Sequence, residues 1–327
     1  MIISQTPLRV SFVGGGTDLP PFYRRHGGAV VSTAIAHYVY ITLKELQPFH
    51  DHRYRVSYSR TELCRTVAEI QHPLVRECLR LLAVDAALEI TSIADVPAGT
   101  GLGSSSSFTV GLLNALHAFK GEYVPWQQLA EEACQVEIEI LGEPIGKQDQ
   151  FIAAAGGLRH IVFRADDTVT TTPLICSRAA HDRLWSGMLA LHVGGQRQAK
   201  DILKQWQSMP PDIETRLEQT SALTRQFLEA VQAGAPMAEL GGVLHAAWEL
   251  KRATGSKVST ARIDALCQRA REHGALGGKL LGAGGTGFLL LLVEPEQRAA
   301  VRAALSELLE LALAPDVEGS RIIHYRR

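Results

Sequence analysis

Two carboxylates, an arginine and a run of serines stand beside glycine-rich turns in this 327-residue chain. The most suggestive stretch is Pro97-Ala98-Gly99-Thr100-Gly101-Leu102-Gly103-Ser104-Ser105-Ser106-Ser107. Glycines lack side chains, so backbone N–H groups can close around a phosphate. Serine is a favoured N-cap, and the free N–H groups of a helix start attract anions. The stretch therefore predicts a phosphate cradle on a helix N-terminus. A flexible linker would not sit directly between a strand-like run and a patterned helix. Gly14-Gly15-Gly16-Thr17-Asp18 is a second glycine turn, with a carboxylate at its exit. Gly277-Gly278-Lys279-Leu280-Leu281-Gly282-Ala283-Gly284-Gly285-Thr286-Gly287 is a third. Asp149 follows a turn in Gly146-Lys147-Gln148-Asp149-Gln150. Phosphoryl transfer to a hydroxyl needs backbone donors for a triphosphate and a magnesium site bridging its oxygens. It also needs a carboxylate to orient or deprotonate the acceptor, and a cation to offset developing charge. The serine loop can supply the first part, a serine hydroxyl with a glutamate the second, and Asp149 with Arg9 the rest.

Such groups need rigid mounts, and the hydrophobic patterning predicts them. Residues 8–13 read as a short strand entering the second glycine turn, and residues 29–43 are rich in strand-forming types. Residues 53–59 and 88–93 read as further strands, the latter delivering the chain into the serine loop. Residues 72–82 pattern as a helix. Phe108, Leu112, Leu113, Leu116 and Phe119 predict a helix behind the serines. Past Pro125, the apolar residues Leu129, Ala133, Val136 and Ile140 predict another helix, with Glu137 and Glu139 on the flanks of its stripe. Residues 158–163 are strand-like. From about residue 180 the texture changes. A strand at 188–193 is followed by helical patterns over 212–233, 237–252 and 263–273. The third glycine stretch feeds an apolar run at 288–293, then come a helix starting at Pro295 and a closing strand at 320–325. This predicts two domains, 1–180 and 181–327.

Composition narrows the function. Hydrophobic residues make up 46% of the chain, ample for a core, and the formal net charge of −1 points to no nucleic acid. The five cysteines are scattered and form no Cys-x-x-Cys pair, so a reducing cytoplasm is expected. No stretch reaches eighteen uninterrupted apolar residues, and no membrane span or signal peptide is expected. Partners are therefore expected to be small molecules, with a homodimer left open. Competing motifs fail. A Walker A loop ending at Gly278-Lys279 has His273 where glycine is required and Leu280 where serine or threonine is required. Gly282 to Gly287 satisfies Gly-x-Gly-x-x-Gly but precedes a strand instead of opening a helix. There is no Gly-x-Ser-x-Gly elbow, and His50-Asp51-His52 lacks helical metal spacing.

In order and spacing, the three glycine stretches resemble the three motifs of the GHMP small-molecule kinases, which include galactokinase, homoserine kinase and mevalonate kinase. The whole chain looks most like the D-glycero-D-manno-heptose 7-phosphate kinases. The phrases that carry this include Arg9-Val10-Ser11-Phe12, His26-Gly27-Gly28-Ala29-Val30, His72-Pro73-Leu74-Val75-Arg76-Glu77 and Leu250-Lys251-Arg252. The resemblance implies an α+β, two-domain fold: a ribosomal-S5-like N-terminal domain and a ferredoxin-like C-terminal domain, with the active site between them. It implies ATP and magnesium, and a product carrying phosphate on the anomeric hydroxyl, for surface polysaccharide. Fucokinases share a similar glycine motif and are the nearest competitor; a non-catalytic sugar-phosphate sensor is the alternative of another class. By the resemblance, Asp149 is catalytic with Arg9 beside it. Pro97, Gly99, Gly101, Leu102, Gly103, Ser104, Ser105 and Ser106 hold nucleotide. Ser105 and Glu137 hold magnesium, with Glu139 as a fallback. Gly15, Gly16, Thr17, Asp18, Gly284 and Gly285 meet the sugar. Gly15 and Gly16 replace the Glu-His of galactokinases, which reshapes the sugar pocket against plain galactose. For the 7-phosphate, Arg24, Arg25, Lys147, Arg197 and Lys200 are candidates, with Arg197 favoured. Whether Asp149 removes a proton or only orients the hydroxyl is open at this level.

Overall fold

A computed structural model describes residues 1–195, 206 and 208–326. Arg197 and Lys200 lie outside the described residues. The first sheet is built from β1 (Ile2–Val13), β2 (Gly28–Glu45), β3 (Tyr54–Ser57), β4 (Thr61–Cys64), β5 (Leu88–Ala94), β6 (Leu158–Phe163) and β7 (Val169–Pro173). The second is built from β8 (Met188–Gly194), β9 (Ala275–Leu280), β10 (Gly287–Val293) and β11 (Leu309–Leu311). The final strand, β12 (Arg321–Tyr325), returns to pair with β1 and completes eight strands in the first sheet. Its order is β12-β1-β2-β5-β3-β4, with β6 on β2 and β7 on β6; the pairing of β3 with β5 is parallel and the others are antiparallel. The second sheet runs β11-β8-β10-β9, antiparallel throughout. We propose the division near residue 180 as the boundary between the two bodies, with β12 handed back to the first.

Strand β2 explains much of the layout. Its β-branched and aromatic residues suit a pleated surface. At 18 residues it keeps β1 on one edge and takes β6 and then β5 along the other. Helix α3 (Ser104–Lys120) lies against β1 and β2. Gly111 permits that approach, because an added Cβ would lie 2.7 Å from Thr6 Oγ1. Ser4 Oγ then donates to the Gly111 carbonyl at 2.7 Å, and Ser107 Oγ to that of Pro7 at 2.7 Å. Strand β10 is apolar on both faces for a reason: Leu290 and Leu292 enter the main core, while Leu289, Leu291 and Val293 enter a second one.

The predicted strands and helices are present, several of them longer than the periodicity implies. Strands β4, β7, β9 and β11 and the helices Pro20–His26 and Arg178–Gly187 are not foreshadowed by it. Strand β9 is the instructive case. Gly277, Gly278 and Lys279 read as part of a glycine loop but are strand residues. A Cβ on Gly277 would lie 1.9 Å from the carbonyl oxygen of Gly241 in the helix Met237–Arg252. Gly277 thus serves close helix-on-strand packing, while Gly278 makes room for Leu290 and Leu291 of β10.

Candidate active site

Arg9 on β1 and Asp149 in the first turn of the helix Gln148–Ala155 meet in a bidentate ion pair. Arg9 Nε donates to Asp149 Oδ1 and Nη2 to Oδ2, both at 2.7 Å. Arg9 Nη1 donates to the Gly101 carbonyl at 2.5 Å, and the Arg9 backbone N–H to that of Leu102 at 3.0 Å. The glycine-serine loop is thereby tied to the ion pair. Gly103, at φ +77°, packs on both partners; a Cβ there would lie 3.2 Å from Arg9 Cγ and 3.3 Å from Asp149 Oδ2. The pair borders a cleft of about 770 Å³, also bordered by Ser104, Ser105, Ser106, Glu137, Asp18 and Gly284.

The serine run enters its helix differently from the expected serine cap. Gly103 is the N-cap, in the left-handed region, with no side-chain cap; all four serines are helical. The Ser107 N–H reaches the Gly103 carbonyl at 3.0 Å. The N–H groups of Ser104 to Ser106 belong to the first turn, which has no intrahelical acceptor for them. Ser105 Oγ donates to Glu137 Oε1 at 3.2 Å, and Gln150 Nε2 to Glu137 Oε2 at 2.6 Å. Glu137 is buried, which pushes its carboxyl up to about 7 despite donors from Gln150, Ser106 and Ser105. Sequence spacing places Glu137 and Glu139 on equivalent flanks, yet only Glu137 is buried and Glu139 is exposed. The cause is a π-helical turn, Gln135–Ile140, after the helix Trp126–Cys134. The extra residue per turn rotates Glu137 inward, and such turns concentrate at functional sites.

Asp18 is buried at the foot of the second glycine turn. Its Oδ1 accepts from the Gly16 N–H at 2.9 Å, and its Oδ2 from the Gln148 N–H at 3.2 Å and Gln148 Nε2 at 3.0 Å. Burial raises its pKa, the Gly16 N–H opposes this, and the charge of Asp149 adds to the rise. Gln148 Oε1 is buried without a partner and borders the cleft, ready to accept from a hydroxyl. Gly15 and Gly16 border the cleft as well. Thr17 does not; its hydroxyl is spent on the Gly14 and Ala29 carbonyls.

The third glycine stretch seals backbone to backbone onto the first. A Cβ on Gly282 would lie 2.5 Å from Gly101 Cα, and one on Gly287 2.2 Å from the Thr100 carbonyl oxygen. Gly285 is turned to scaffolding, its N–H donating to the Val258 carbonyl at 2.9 Å. Pro97 and Leu102 also stand behind the cleft wall: Pro97 accepts from Thr100 Oγ1, and Leu102 from Arg9. Two lysines converge at this seam. Lys279 Nζ donates to the Phe12 carbonyl at 2.8 Å, and Lys251 Nζ to that of Leu280 at 3.1 Å and also to that of Gly282. Burial, then the charge of Arg9, pulls Lys279 down to about 7; burial, then Lys279 and Arg9, pulls Lys251 well below the usual lysine range. Arg24, Arg25 and Lys147, read from sequence as phosphate candidates, are ion-paired instead: Arg24 and Lys147 with Asp167, Arg25 with Glu214.

A half-buried ion pair, a glycine cradle on a helix start and a buried glutamate are thus assembled in one cleft. The family model for the GHMP kinases N terminal domain matches residues 62–157, and that for the GHMP kinases C terminal matches 227–311, together more than half of the chain. The chain belongs to the GHMP kinases. It is 27% identical over 314 residues to the D-glycero-alpha-D-manno-heptose 7-phosphate kinase of Campylobacter jejuni, covering 91% of each. It is 26% identical to the L-fucokinase/L-fucose-1-P guanylyltransferase of Bacteroides fragilis, covering 94% of this chain but 36% of that one. A solved structure of a D-glycero-D-manno-heptose 1-phosphate kinase from Bacteroides thetaiotaomicron superposes with a TM-score of 0.81 at 23% identity, over all of both chains. This GHMP kinase is therefore an ATP-dependent sugar kinase with the mixed, two-domain fold of its family.

The donor set of the GHMP kinase fits a nucleotide with magnesium. Among the described residues no three His, Cys, Asp or Glu side chains gather to hold a metal alone. One buried carboxylate and one hydroxyl instead suit magnesium, which keeps few protein ligands and shares substrate phosphates. Sequence reasoning missed Gln148, Lys251, Lys279 and an aromatic corner. His72 stacks on Phe108 of α3 with centroids 4.8 Å apart, Tyr58 stands edge-on to it, and both Tyr58 and His72 border the cleft. The neighbourhood of Lys279 to a glycine motif and of Gln148 to Asp149, and the place of His72 and Lys251 in phrases that carry the resemblance, were the signals that could have found them.

The seam between glycine stretches gives a stability prediction. Gly101 has φ +82°, and a Cβ on it would lie 2.6 Å from the Leu281 carbonyl oxygen; Gly142 has φ +64° and open space around it. Gly142→Ala isolates the backbone strain, about 1–3 kcal/mol. Gly101→Ala is expected to lose more than this in chemical denaturation, because the clash with Leu281 adds to the strain. Equal losses would mean that the two loops do not press together.

Proposed function

We propose that this GHMP kinase transfers the γ-phosphoryl group of ATP to the anomeric (C1) hydroxyl of D-glycero-D-manno-heptose 7-phosphate. The product is the 1,7-bisphosphate, a precursor of nucleotide-activated heptose for surface polysaccharide. The observation that carries the reading is the end-to-end likeness to the Campylobacter kinase, 91% of both chains, combined with an acceptor loop emptied of side chains at Gly15 and Gly16.

In this reading the N–H groups of Ser104 to Ser106 and the glycine cradle hold the nucleotide phosphates, and Tyr58 and His72 flank its base. Ser105 and Glu137 would hold magnesium, which supplies charge neutralisation to the transferring group. Asp18 and Gln148 position the sugar hydroxyls. Asp149 accepts a hydrogen bond from the C1 hydroxyl and takes its proton as the oxygen bonds to the γ-phosphorus and the bond to the ADP oxygen breaks. Arg9 fixes Asp149 in place, and with Lys279 and Lys251 it faces the charge that develops. The intact Arg9–Asp149 pair argues against a non-catalytic sensor.

The likeness to the Bacteroides fragilis protein favours a second reading, a fucose 1-kinase. ADP release measured across heptose 7-phosphate, the unphosphorylated heptose, fucose and galactose separates the two. The expected result is a kcat/KM for heptose 7-phosphate at least about 100-fold above the rest, the worth of one buried charge-assisted contact. Preferred turnover of fucose would replace the first reading with the second.

A further inference from the structure

Two N–H groups on residues bordering the cleft are buried and, among the described residues, have no partner: Arg216 Nε and Trp206 Nε1. Arg216 belongs to the helix Pro211–Ala233, and both residues border the cleft. Trp206 stands against the acceptor loop, and the residue next to Arg216 meets the same loop. A Cβ on Gly16 would lie 2.6 Å from Trp206 Cζ3 and 2.9 Å from Cδ2 of Leu217, the neighbour of Arg216. Among the described residues Arg216 forms no ion pair, although Glu214 two positions earlier takes Arg25 and His26.

The other cations that border the cleft among the described residues are engaged. Arg9 holds Asp149 and the Gly101 carbonyl, Lys279 the Phe12 carbonyl, Lys251 the Leu280 carbonyl, and Arg60 pairs with Glu62. The lysines also lie at the seam of the glycine loops, on the side of the transferred group. A buried donor without an acceptor costs about 1–3 kcal/mol, so two bordering one cleft ask for an acceptor brought by a ligand. A guanidinium and an indole N–H bordering one cleft offer a forked cationic donor and a neutral one, a set suited to phosphate oxygens.

We propose that Arg216, assisted by the indole N–H of Trp206, receives the phosphate at the far end of the acceptor sugar and so makes the enzyme specific for a sugar phosphate. This assignment rests on the heptose 7-phosphate reading. It adds a cation that nothing in the motif pattern marks to the sequence candidates Arg197 and Lys200, which lie outside the described residues.

The test compares kcat/KM for heptose 7-phosphate and for the unphosphorylated heptose in the wild type, Arg216→Gln, Arg216→Lys and Trp206→Phe, with the KM for ATP and the melting temperature alongside. The wild type is expected to prefer the phosphorylated sugar. Arg216→Gln is expected to cut the ratio of the two kcat/KM values by about 100-fold, mostly through KM for the phosphorylated sugar. Arg216→Lys is expected to recover part of that ratio by keeping the charge without the fork. Trp206→Phe keeps the ring and loses the N–H; it is expected to cut the ratio by about tenfold, and it carries the test if Arg216→Gln does not fold. A wild-type preference retained in Arg216→Gln, or in Trp206→Phe where that variant carries the test, overturns the assignment and leaves the substrate reading standing. Equal use of both sugars by the wild type overturns the substrate reading and the assignment with it.

Discussion

Asp149→Asn is expected to lower kcat by about 10³-fold while moving the KM for ATP by no more than a few-fold, the range of a lost general base. Both carboxylate oxygens of Asp149 are held by Arg9 at 2.7 Å, so its orientation is fixed before substrate arrives. An asparagine keeps the size and one acceptor oxygen. It cannot take a proton, and its amide would turn an N–H toward the Arg9 guanidinium. Asp149→Ala removes that conflict and serves as the companion variant. If Asn alone were inactive and Ala retained most of the rate, the loss would lie in a misplaced Arg9. If both lose about 10³-fold, the carboxylate itself is responsible. Turnover unchanged in both variants would remove Asp149 from the mechanism. The adjacent Asp18 gives an internal check: the charge of Asp149 helps to raise it, so its carboxyl should titrate lower in either variant.

Glu137→Gln is expected to lower kcat at fixed magnesium by about 10²–10³-fold, in proportion to the several kcal/mol that a metal contributes at a transferring phosphoryl group. Raising magnesium should restore part of the loss. The same variant should leave the fold intact or strengthen it. Burial holds Glu137 at about 7, above the 4.5 of an unfolded glutamate. Between those values the folded state binds the extra proton, so wild-type stability falls as pH rises from about 4.5 to 7. Glutamine has no such term. Its stability advantage in metal-free, nucleotide-free protein should be absent below about pH 4.5 and reach about 3 kcal/mol above pH 7. A variant less stable than wild type at pH 8 would contradict a carboxylate kept buried at the expense of stability.

Much of this site is legible before any coordinates, because its chemistry rests on backbone and on short motifs. The glycine-serine loop and its helix follow from glycine's lack of a side chain and from the spacing of Phe108 to Phe119. Asp149 and Arg9 are more than a hundred residues apart, and a motif resemblance, not periodicity, brought them together. Periodicity fails where the structure departs from a regular period. The π turn at Gln135–Ile140 buries Glu137 and exposes Glu139, and no 3.6-residue count distinguishes them. Close packing is equally silent in sequence: Gly277 looks like part of a loop until Gly241 is seen against it. Arg216 sits in an ordinary amphipathic helix, and only the fold shows that its neighbour Leu217 meets Gly16. Proximity to glycine pointed to Arg24, Arg25 and Lys147, each of which proves to be held by a carboxylate.

Phosphorus NMR of the reaction mixture reads the position and identity of the phosphorylated group directly. With heptose 7-phosphate, ATP and magnesium, a new signal coupled to the anomeric proton should grow in step with ADP while the 7-phosphate signal persists. ADP formation without that coupling, or no product from the phosphorylated heptose alongside ready phosphorylation of fucose, would contradict the account.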